Sequence, residues 1–329
     1  MIISRAPVRI SLGGGGTDLE SYYSKRGGFL IAGAIDRYVF ISANKRFYDS
    51  MRLSYSQTEI VKTVEDVKHR IFRECLKYLG VNNGIELVSI ADVPANSGLG
   101  SSSSFTVSLL NALHTYKRDF VSQKQLADEA CHLEIDILGE PIGKQDQYIS
   151  SFGGVTSLTF ERDGNVIVEP VKIDEETLNA LERNILLFST GIERSASDIL
   201  SEQNQRSKDG NRDVIDTLDQ IKSIGLETKK AFESGDLDKF GELLDVHWQI
   251  KKNLSNKISN NFIDNCYGAA MSNGALGGKI MGAGGGGFFM FYCSKNQKKL
   301  ISAMKEKGLK PMKFRFDFEG AKILVNMKR

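Results

Sequence analysis

Three glycine-rich segments, far apart along the 329-residue chain, restrict its fold more than any other feature. They cover residues 13–16, 98–100 and 282–287. Glycine has no Cβ atom, so its backbone adopts positive φ angles freely and can approach a ligand closely. Each segment is therefore a candidate for a loop whose main-chain N–H groups wrap an anion.

The middle segment carries the most specific signal. Residues 94–104 read PANSGLGSSSS and lie between a predicted strand and a predicted helix. The N-terminus of that helix offers unpaired N–H donors and a partial positive charge, both suited to a polyphosphate. The serines can cap the helix or supply a hydroxyl ligand to Mg²⁺. Taken alone, the pattern fits a serine-rich helix cap as well as it fits a nucleotide site.

Two common nucleotide-binding patterns do not account for these segments. The P-loop pattern GxxxxGK[ST] does not occur, since Gly139 to Lys144 and Gly274 to Lys279 both have the wrong spacing. The middle segment does not open a βαβ unit with an acidic residue about 20 positions on, as a dinucleotide-binding loop would. We therefore exclude a P-loop NTPase and disfavour a dinucleotide-binding domain.

The charges are balanced and spread along the chain. Basic residues number 43 and acidic residues 41, and no long block of one sign indicates a nucleic-acid or membrane surface. Hydrophobic residues make up 41%, which is typical of a folded globular protein. No stretch approaches the ~20 apolar residues that span a bilayer, and the four cysteines form no CxxC pair. We expect a cytoplasmic protein with reduced thiols and without nucleic-acid or membrane partners.

Helical and strand patterns occur in separate runs, with mainly antiparallel strands, which favours an α+β fold over a doubly wound α/β fold. Residues 29–35 and 38–43 read as two strands of a hairpin, and residues 126–138 as one helix. A composition shift near residues 172–184 predicts two domains, residues 1–172 and residues 173–329.

Read together, residues 7–18, 94–104 and 279–287 resemble, in order and interval, the three motifs of the GHMP kinase superfamily. The resemblance implies an N-terminal domain like domain 2 of ribosomal protein S5 and a ferredoxin-like C-terminal domain. ATP and Mg²⁺ would bind in the cleft between them. The implied ATP-binding residues are Pro94, Ser97, Gly98, Leu99, Gly100, Ser101, Ser102 and Ser103.

Two carboxylates twelve residues apart, Glu134 and Asp146, match the spacing of galactokinase better than that of mevalonate kinase. By this resemblance Glu134 and the Ser102 hydroxyl bind Mg²⁺, and Asp146 accepts the proton of the attacking hydroxyl. Arg9 would pair with Asp146 and neutralise charge on the transferring group. Without the glycine segments, Glu134 would be read as a solvated helix charge and Asp146 as a helix cap. Asp136 is a weaker alternative, expected to face away from Glu134.

The nature of the acceptor is indicated by residues 5–18, 22–23, 27–28, 34–39 and 190–196. They resemble the D-glycero-D-manno-heptose 7-phosphate kinases over nearly the whole chain. The resemblance implies phosphorylation of the anomeric hydroxyl, giving the 1,7-bisphosphate. The implied substrate-binding residues are Arg9, Gly15, Gly16, Thr17, Asp18, Arg194, Gly284 and Gly285.

Arg194 is expected to hold the phosphate of the acceptor, because its planar guanidinium matches phosphate oxygens. Lys251 and Lys252 are weaker candidates for holding this phosphate, because they fit the solvent-exposed face of a helix equally well. Two alternatives stay open: an L-fucose-type or other hexose 1-kinase, and a catalytically inactive sugar sensor. The expected partner is in each case a small sugar or sugar phosphate. Self-association into a homodimer is left open.

Overall fold

The computed structural model describes residues 1–193 and 197–327. The strands are β1 (Ile2–Gly13), β2 (Gly28–Lys45), β3 (Met51–Ser54), β4 (Thr58–Val61), β5 (Ile85–Ala91), β6 (Val155–Phe160), β7 (Val166–Pro170), β8 (Ile185–Ser189), β9 (Gly277–Ile280), β10 (Phe288–Tyr292), β11 (Lys310–Met312) and β12 (Lys322–Asn326). The helices are α1 (Glu20–Arg26), α2 (Arg70–Tyr78), α3 (Ser101–Lys117), α4 (Gln123–Cys131), α5 (Gln145–Phe152), α6 (Glu175–Asn184), α7 (Ser197–Lys208), α8 (Arg212–Glu233), α9 (Leu237–Lys251), α10 (Asn261–Ser272) and α11 (Gln297–Glu306).

The first sheet has eight strands in the order β12-β1-β2-β5-β3-β4, with β6 also pairing β2 and β7 pairing β6. The hairpin expected at residues 29–43 is wrong, because both runs belong to the single strand β2. Antiparallel pairing with β1 continues on both sides of Asp36, and the register shifts between Pro7 and Val8. The backbone N–H of Asp36 instead donates to the carbonyl of Arg315, so these residues form a bulge and not a turn.

The helix expected over residues 126–138 is divided into α4 and a π-helical turn, His132–Ile137. The N–H of Leu138 donates to the carbonyl of Leu133, five residues back, at 2.9 Å. Inserted π-turns are frequent at functional sites, since they change which side chains face inward. Here Leu133 and Glu134 are both buried, and Glu134 is thereby directed towards α3.

The second sheet is antiparallel, in the order β11-β8-β10-β9, and α9 packs against β9. The last strand, β12, was expected in the second domain, but it pairs with β1 at the edge of the first sheet. One hydrophobic cluster also joins the two halves, with Val8 and Ile10 from the first and Phe240 and Met290 from the second. The α+β class is confirmed, and the two halves are held together by this cluster.

In the part of the chain that the structure describes, no helix is both long and apolar enough to cross a bilayer. The four cysteines are buried and unpaired.

Candidate active site

A cavity of about 310 Å³ lies where the three glycine-rich segments meet. Both halves contribute to its wall. Among the residues that line it are Arg9, Gly15, Gly16, Asp18, Ser97, Gly98, Gly100, Ser101, Ser102, Ser103, Glu134, Gln145, Asp146, Gln203, His247, Lys251, Lys279 and Gly282.

The second and third glycine segments pack directly against each other. A Cβ atom on Gly98 would lie 2.7 Å from the carbonyl oxygen of Met281, and one on Gly282 would lie 2.8 Å from the Cα atom of Gly98. Both residues have positive φ angles, 77° and 66°. Only glycine tolerates this conformation and this approach together, so the sequence closes the cavity by backbone contact.

Helix α3 points its N-terminus at the cavity. Its N-cap, Gly100, is left-handed, and no side chain caps the first N–H groups. Ser101, Ser102 and Ser103, in the first turn, all line the cavity. Unsatisfied N–H donors and the helix dipole at this position suit the phosphates of a nucleotide.

Arg9 and Asp146, which both line the cavity, form a bidentate ion pair. The guanidinium Nε and Nη2 atoms donate to Oδ1 and Oδ2 of Asp146, both at 2.7 Å, and Nη1 donates to the carbonyl of Gly98 at 2.6 Å. Strand β1 holds Arg9, which is 4% exposed, and the first turn of α5 holds Asp146. The ion pair predicted from the motifs therefore contacts Gly98, which belongs to the candidate ATP-binding loop.

Glu134 is buried beside the first turns of α3. Its carboxylate accepts hydrogen bonds from the Ser103 hydroxyl at 2.8 Å, the Thr106 hydroxyl at 2.7 Å and the Gln147 amide. Burial raises its pKa to about 7, against the lowering effect of these donors. Asp136 is exposed and contacts His132, as expected for the other side of the turn.

Among the serines at the start of α3, Ser103 contacts Glu134, whereas Ser102 was predicted to bind Mg²⁺ together with Glu134. Ser102 is exposed at the cavity and makes no contact with Glu134 among the described residues. A step of one residue turns a helical side chain by about 100°, so only one serine of the run can face Glu134.

The donors present fit Mg²⁺. Carboxylate and hydroxyl oxygens are the ligands that a hard cation prefers, and a nucleotide supplies further oxygens. No group of three or more His, Cys, Asp or Glu side chains forms a metal cage in the described ranges. Glu134 with a serine hydroxyl at the end of α3 would therefore hold the ion together with the phosphates.

Asp18 lines the same cavity and is 6% exposed. Its two carboxylate oxygens accept from the N–H groups of Gly16 and Gln145 at 3.0 and 3.1 Å. Burial raises its pKa, and the nearby Asp146 adds to the effect. Thr17, also predicted to bind substrate, is fully buried outside the cavity lining. Its hydroxyl holds the loop by donating to the carbonyls of Gly14 and Phe29.

Several buried polar atoms around the cavity have no protein partner among the described residues. Gln203 Nε2 lies 3.2 Å from where a Cβ atom on Gly16 would be. Unpaired buried polar groups are costly, so this set suits a ligand with many hydroxyl groups. The cavity-lining atoms of this kind are Ser11 Oγ, Ser97 Oγ, Gln145 Oε1 and Gln203 Nε2.

The remaining predicted residues lie elsewhere. Pro94 is exposed outside the cavity, and Leu99 is buried behind it, where its carbonyl accepts from the N–H of Arg9. Gly284 and Gly285 pack on Ile258 and do not line the cavity. Arg194 lies outside the described residues.

The cavity residues that were not predicted include His247, Lys279, Gln145 and Gln203, and Lys251 was only a weak candidate. Lys279 is the first residue of the third motif, residues 279–287, so the motif itself was the available signal. Nothing in the local pattern of α9 marks His247, because its place in the cavity depends on how α9 packs against β9.

Comparison with known proteins identifies the family. Residues 59–154 match the model of the GHMP kinases N terminal domain, and residues 228–310 match that of the GHMP kinases C terminal domain. A D-glycero-alpha-D-manno-heptose 7-phosphate kinase from Campylobacter jejuni is 30% identical, with 98% of each chain covered.

Solved structures agree on the fold. A heptose 1-phosphate kinase from Bacteroides thetaiotaomicron superposes with a TM-score of 0.82 at 23% identity, covering 100% of both chains. The galactokinase of Lactococcus lactis, in complex with galactose, gives a TM-score of 0.77 at 21% identity, covering 98% of this chain and 94% of that one. The predicted two-domain fold and kinase activity are confirmed. The chain belongs to the GHMP kinase family.

Proposed function

We propose that this kinase transfers the γ-phosphoryl group of ATP to the anomeric hydroxyl of a sugar phosphate, D-glycero-D-manno-heptose 7-phosphate, to give the 1,7-bisphosphate. The observation that carries the proposal is the Arg9–Asp146 pair, which lies beside the N-terminus of α3 in one cavity. With ATP as the donor, we expect the protein to act in the cytoplasm.

Asp146 is proposed as the base. Its Oδ1 atom already accepts from Arg9 Nε and Gln145 Nε2, whereas Oδ2 accepts from Arg9 Nη2. Oδ2 therefore has the freer lone pair to accept the proton of the acceptor hydroxyl. Arg9 fixes the orientation of the carboxylate, and phosphoryl transfer depends mainly on such positioning and on charge neutralisation.

The acceptor is proposed to lie between Asp146 and Asp18. Asp18, held by two backbone N–H groups, can accept hydrogen bonds from ring hydroxyls. The amide groups of Gln145 and Gln203 and the Ser11 hydroxyl would satisfy further hydroxyls. The relative from C. jejuni, covered over its full length, is named for a heptose 7-phosphate, which supports that choice of sugar.

Residues 97–103 are proposed to hold the ATP phosphates, and Glu134 with a serine hydroxyl of α3 to hold Mg²⁺. When bound, the ion would neutralise phosphate charge and align the phosphates.

The test is a panel of acceptors with ATP and Mg²⁺: heptose 7-phosphate, free heptose, L-fucose, galactose and mannose. ADP release measures turnover, and ³¹P NMR of the product locates the new phosphate. We expect the heptose phosphate to have the highest kcat/KM and its product to carry an anomeric phosphate. Equal or better use of a free hexose would reject the sugar phosphate and favour a fucokinase-like enzyme. ATP turnover with no acceptor used would reject the sugar kinase altogether.

A further inference from the structure

Three basic side chains of the second half line the cavity beside Arg9. His247 and Lys251 lie one turn apart on α9, and Lys279 belongs to the edge strand β9, which packs against that helix. Residues four apart share a helix face. The three side chains therefore converge on one wall of the cavity, which we name the basic wall.

Among the described residues, Lys251 and Lys279 of the basic wall have no acidic partner. Lys279 is 2% exposed, and its Nζ atom lies 3.4 Å from Nδ1 of His247. Lys251 donates to the carbonyl of Gly282 at 2.5 Å. Within residues 1–193 and 197–327, no carboxylate oxygen lies within 4.0 Å of either ammonium group.

Buried cations without counter-ions are strongly destabilising, so their retention calls for another source of negative charge. Burial, together with repulsion from neighbouring cations, lowers the pKa of each group. Burial and the two lysines lower the pKa of His247, burial and Arg9 lower that of Lys251 to about 8, and burial, Lys251 and Arg9 lower that of Lys279. His247 is thus a neutral ring whose Nδ1 atom can accept a hydrogen bond from Lys279.

The position of the basic wall points to the reacting end of the ligands. The carbonyl that Lys251 holds belongs to Gly282, which packs on Gly98 of the proposed ATP loop. Arg9, whose charge acts on both lysines of the wall, is bound to Asp146. An anion held by the wall would therefore lie between the nucleotide loop and the proposed base.

We propose that Lys279 and Lys251 bind the phosphoryl group while it is transferred, and that His247 is a positioning residue that orients Lys279. This rests on the proposed function, with Asp146 as the base. The acceptor oxygen forms a bond to the γ-phosphorus, and the bond from that phosphorus to the β,γ-bridging oxygen breaks. Its electron pair leaves with ADP, and the acceptor proton moves to Asp146. The two lysines neutralise the non-bridging oxygens throughout the step.

The first test replaces Lys279 by methionine, with Lys252→Met as the matched control. Lys252 follows Lys251 in the chain, but its Nζ atom lies 6.0 Å from the Trp248 ring and it does not line the cavity. We expect Lys279→Met to lower kcat by roughly 10²- to 10³-fold, the usual cost of losing one transition-state donor. KM for phosphorylated and free acceptors should change in parallel, and Lys252→Met should have parental kinetics.

Stability provides a readout that separates this role from a structural one. Removal of an unpaired buried charge should leave the melting temperature of Lys279→Met at or above that of the parent. Lys251→Met serves as an independent second variant with the same expected pattern. His247→Gln keeps an acceptor for Lys279 and should retain more activity than His247→Leu.

A second measurement needs no acceptor. Aluminium fluoride with ADP and Mg²⁺ mimics a phosphoryl group in transfer, so the parent should bind ADP more tightly when fluoride complexes are present. This gain should be lost in Lys279→Met and kept in Lys252→Met. If the parent phosphorylates no sugar but Lys279→Met still loses the gain in ADP affinity, the proposed acceptor is wrong and the proposed phosphoryl-binding site is supported.

Two results would overturn the inference. One is a Lys279→Met enzyme with parental kcat and a parental gain from aluminium fluoride, which would mean that no phosphoryl group contacts this residue. The other is a rise in KM confined to the phosphorylated acceptor, which would place the acceptor's own phosphate on the basic wall. A structural role would instead show as a lowered melting temperature without a selective loss of kcat.

Discussion

Some side chains of the cavity are predicted by the sequence motifs. The contacts of others can be known only from the geometry of the fold. Arg9, Asp146 and Asp18 were predicted because their positions are tied to a glycine segment or a helix start, and all three line the cavity. Whether Ser102 or Ser103 contacts Glu134 depends on the rotational phase of α3, that is, on which of the two side chains points towards Glu134. A run of four serines contains no information about that phase, so the contact of Ser103 emerges only from the fold.

Asp146→Asn should lower kcat by about 10²- to 10⁴-fold, as is usual for the loss of a general base. The amide keeps the size of the side chain but loses the charge that pairs with Arg9 and the oxygen that accepts a proton. KM for ATP should change little. Steady-state kinetics measure both, with Asp136→Asn, an exposed carboxylate, as the control. A parental rate in Asp146→Asn would show that another group is the base.

Ser103→Ala should raise the Mg²⁺ concentration needed for half-maximal activity more than Ser102→Ala does. Ser103 is in contact with Glu134 at 2.8 Å, whereas Ser102 is exposed. High Mg²⁺ should partly restore the rate, because the variant loses one oxygen near the ion and not the carboxylate. Titration of activity with Mg²⁺ decides the order. The reverse order would support the assignment of Ser102 that the family resemblance implied.

At the scale of elements, the predictions of a hairpin at residues 29–43 and of one helix at residues 126–138 failed where the chain departs from a regular repeat. The π-turn at His132–Ile137 keeps an apolar spacing close to that of an α-helix, so periodicity did not reveal it. Strand β2 was divided in two because Asp36 and Arg37 resemble a turn. Their bulge is stabilised by Arg315, which is distant in sequence and therefore invisible to local patterns.

The junction between the glycine loop and α3 gives a prediction at this scale. A Cβ atom on Gly100 would lie 2.9 Å from Oδ2 of Asp146, whereas one on Gly139 would meet nothing within 4 Å. Both glycines have positive φ angles, 77° and 69°, so alanine adds a similar backbone strain of roughly 1 kcal/mol at each.

Gly100→Ala should therefore lower kcat at least 10-fold beyond the effect of Gly139→Ala, because only the first displaces the proposed base. The free energy of unfolding should fall in both variants, and further in Gly100→Ala, because displacing Asp146 also breaks its ion pair with the buried Arg9. Kinetics and denaturant titration of the two proteins test this together. Equal kcat values would mean that Asp146 has room to move without loss of function.

At the scale of the whole molecule, residues of the two halves pack into one hydrophobic cluster, and the segment before β12 joins the halves. Phe316 is 7% exposed and its ring lies over Gly33, where a Cβ atom would be 2.4 Å from the ring. It belongs to the cluster that also contains Val8 and Phe240. The first sheet is therefore not continuous in sequence, since β12 pairs with β1 through a long-range contact.

Phe316→Ala should lower the free energy of unfolding by about 3–5 kcal/mol, the usual cost of truncating a buried Phe. The matched control is Phe318→Ala, since Phe318 is 59% exposed and two residues away. Urea denaturation, followed by intrinsic fluorescence and by circular dichroism, measures both. We expect one transition for each protein because the cluster couples the halves. A cost below 1 kcal/mol at Phe316 would show that this segment does not hold the halves together.

The pairing of Ile2 with Asn326 also sets the order in which the molecule is completed during its synthesis. β1 leaves the ribosome about 320 residues before its outer neighbour, which corresponds to on the order of 15 to 60 s at usual elongation rates. Until then the nascent chain presents the outer edge of β1 as a row of unpaired backbone groups, open to other strands. The sheet that carries Arg9 therefore gains its outer strand only after about 320 further residues have been added to the chain.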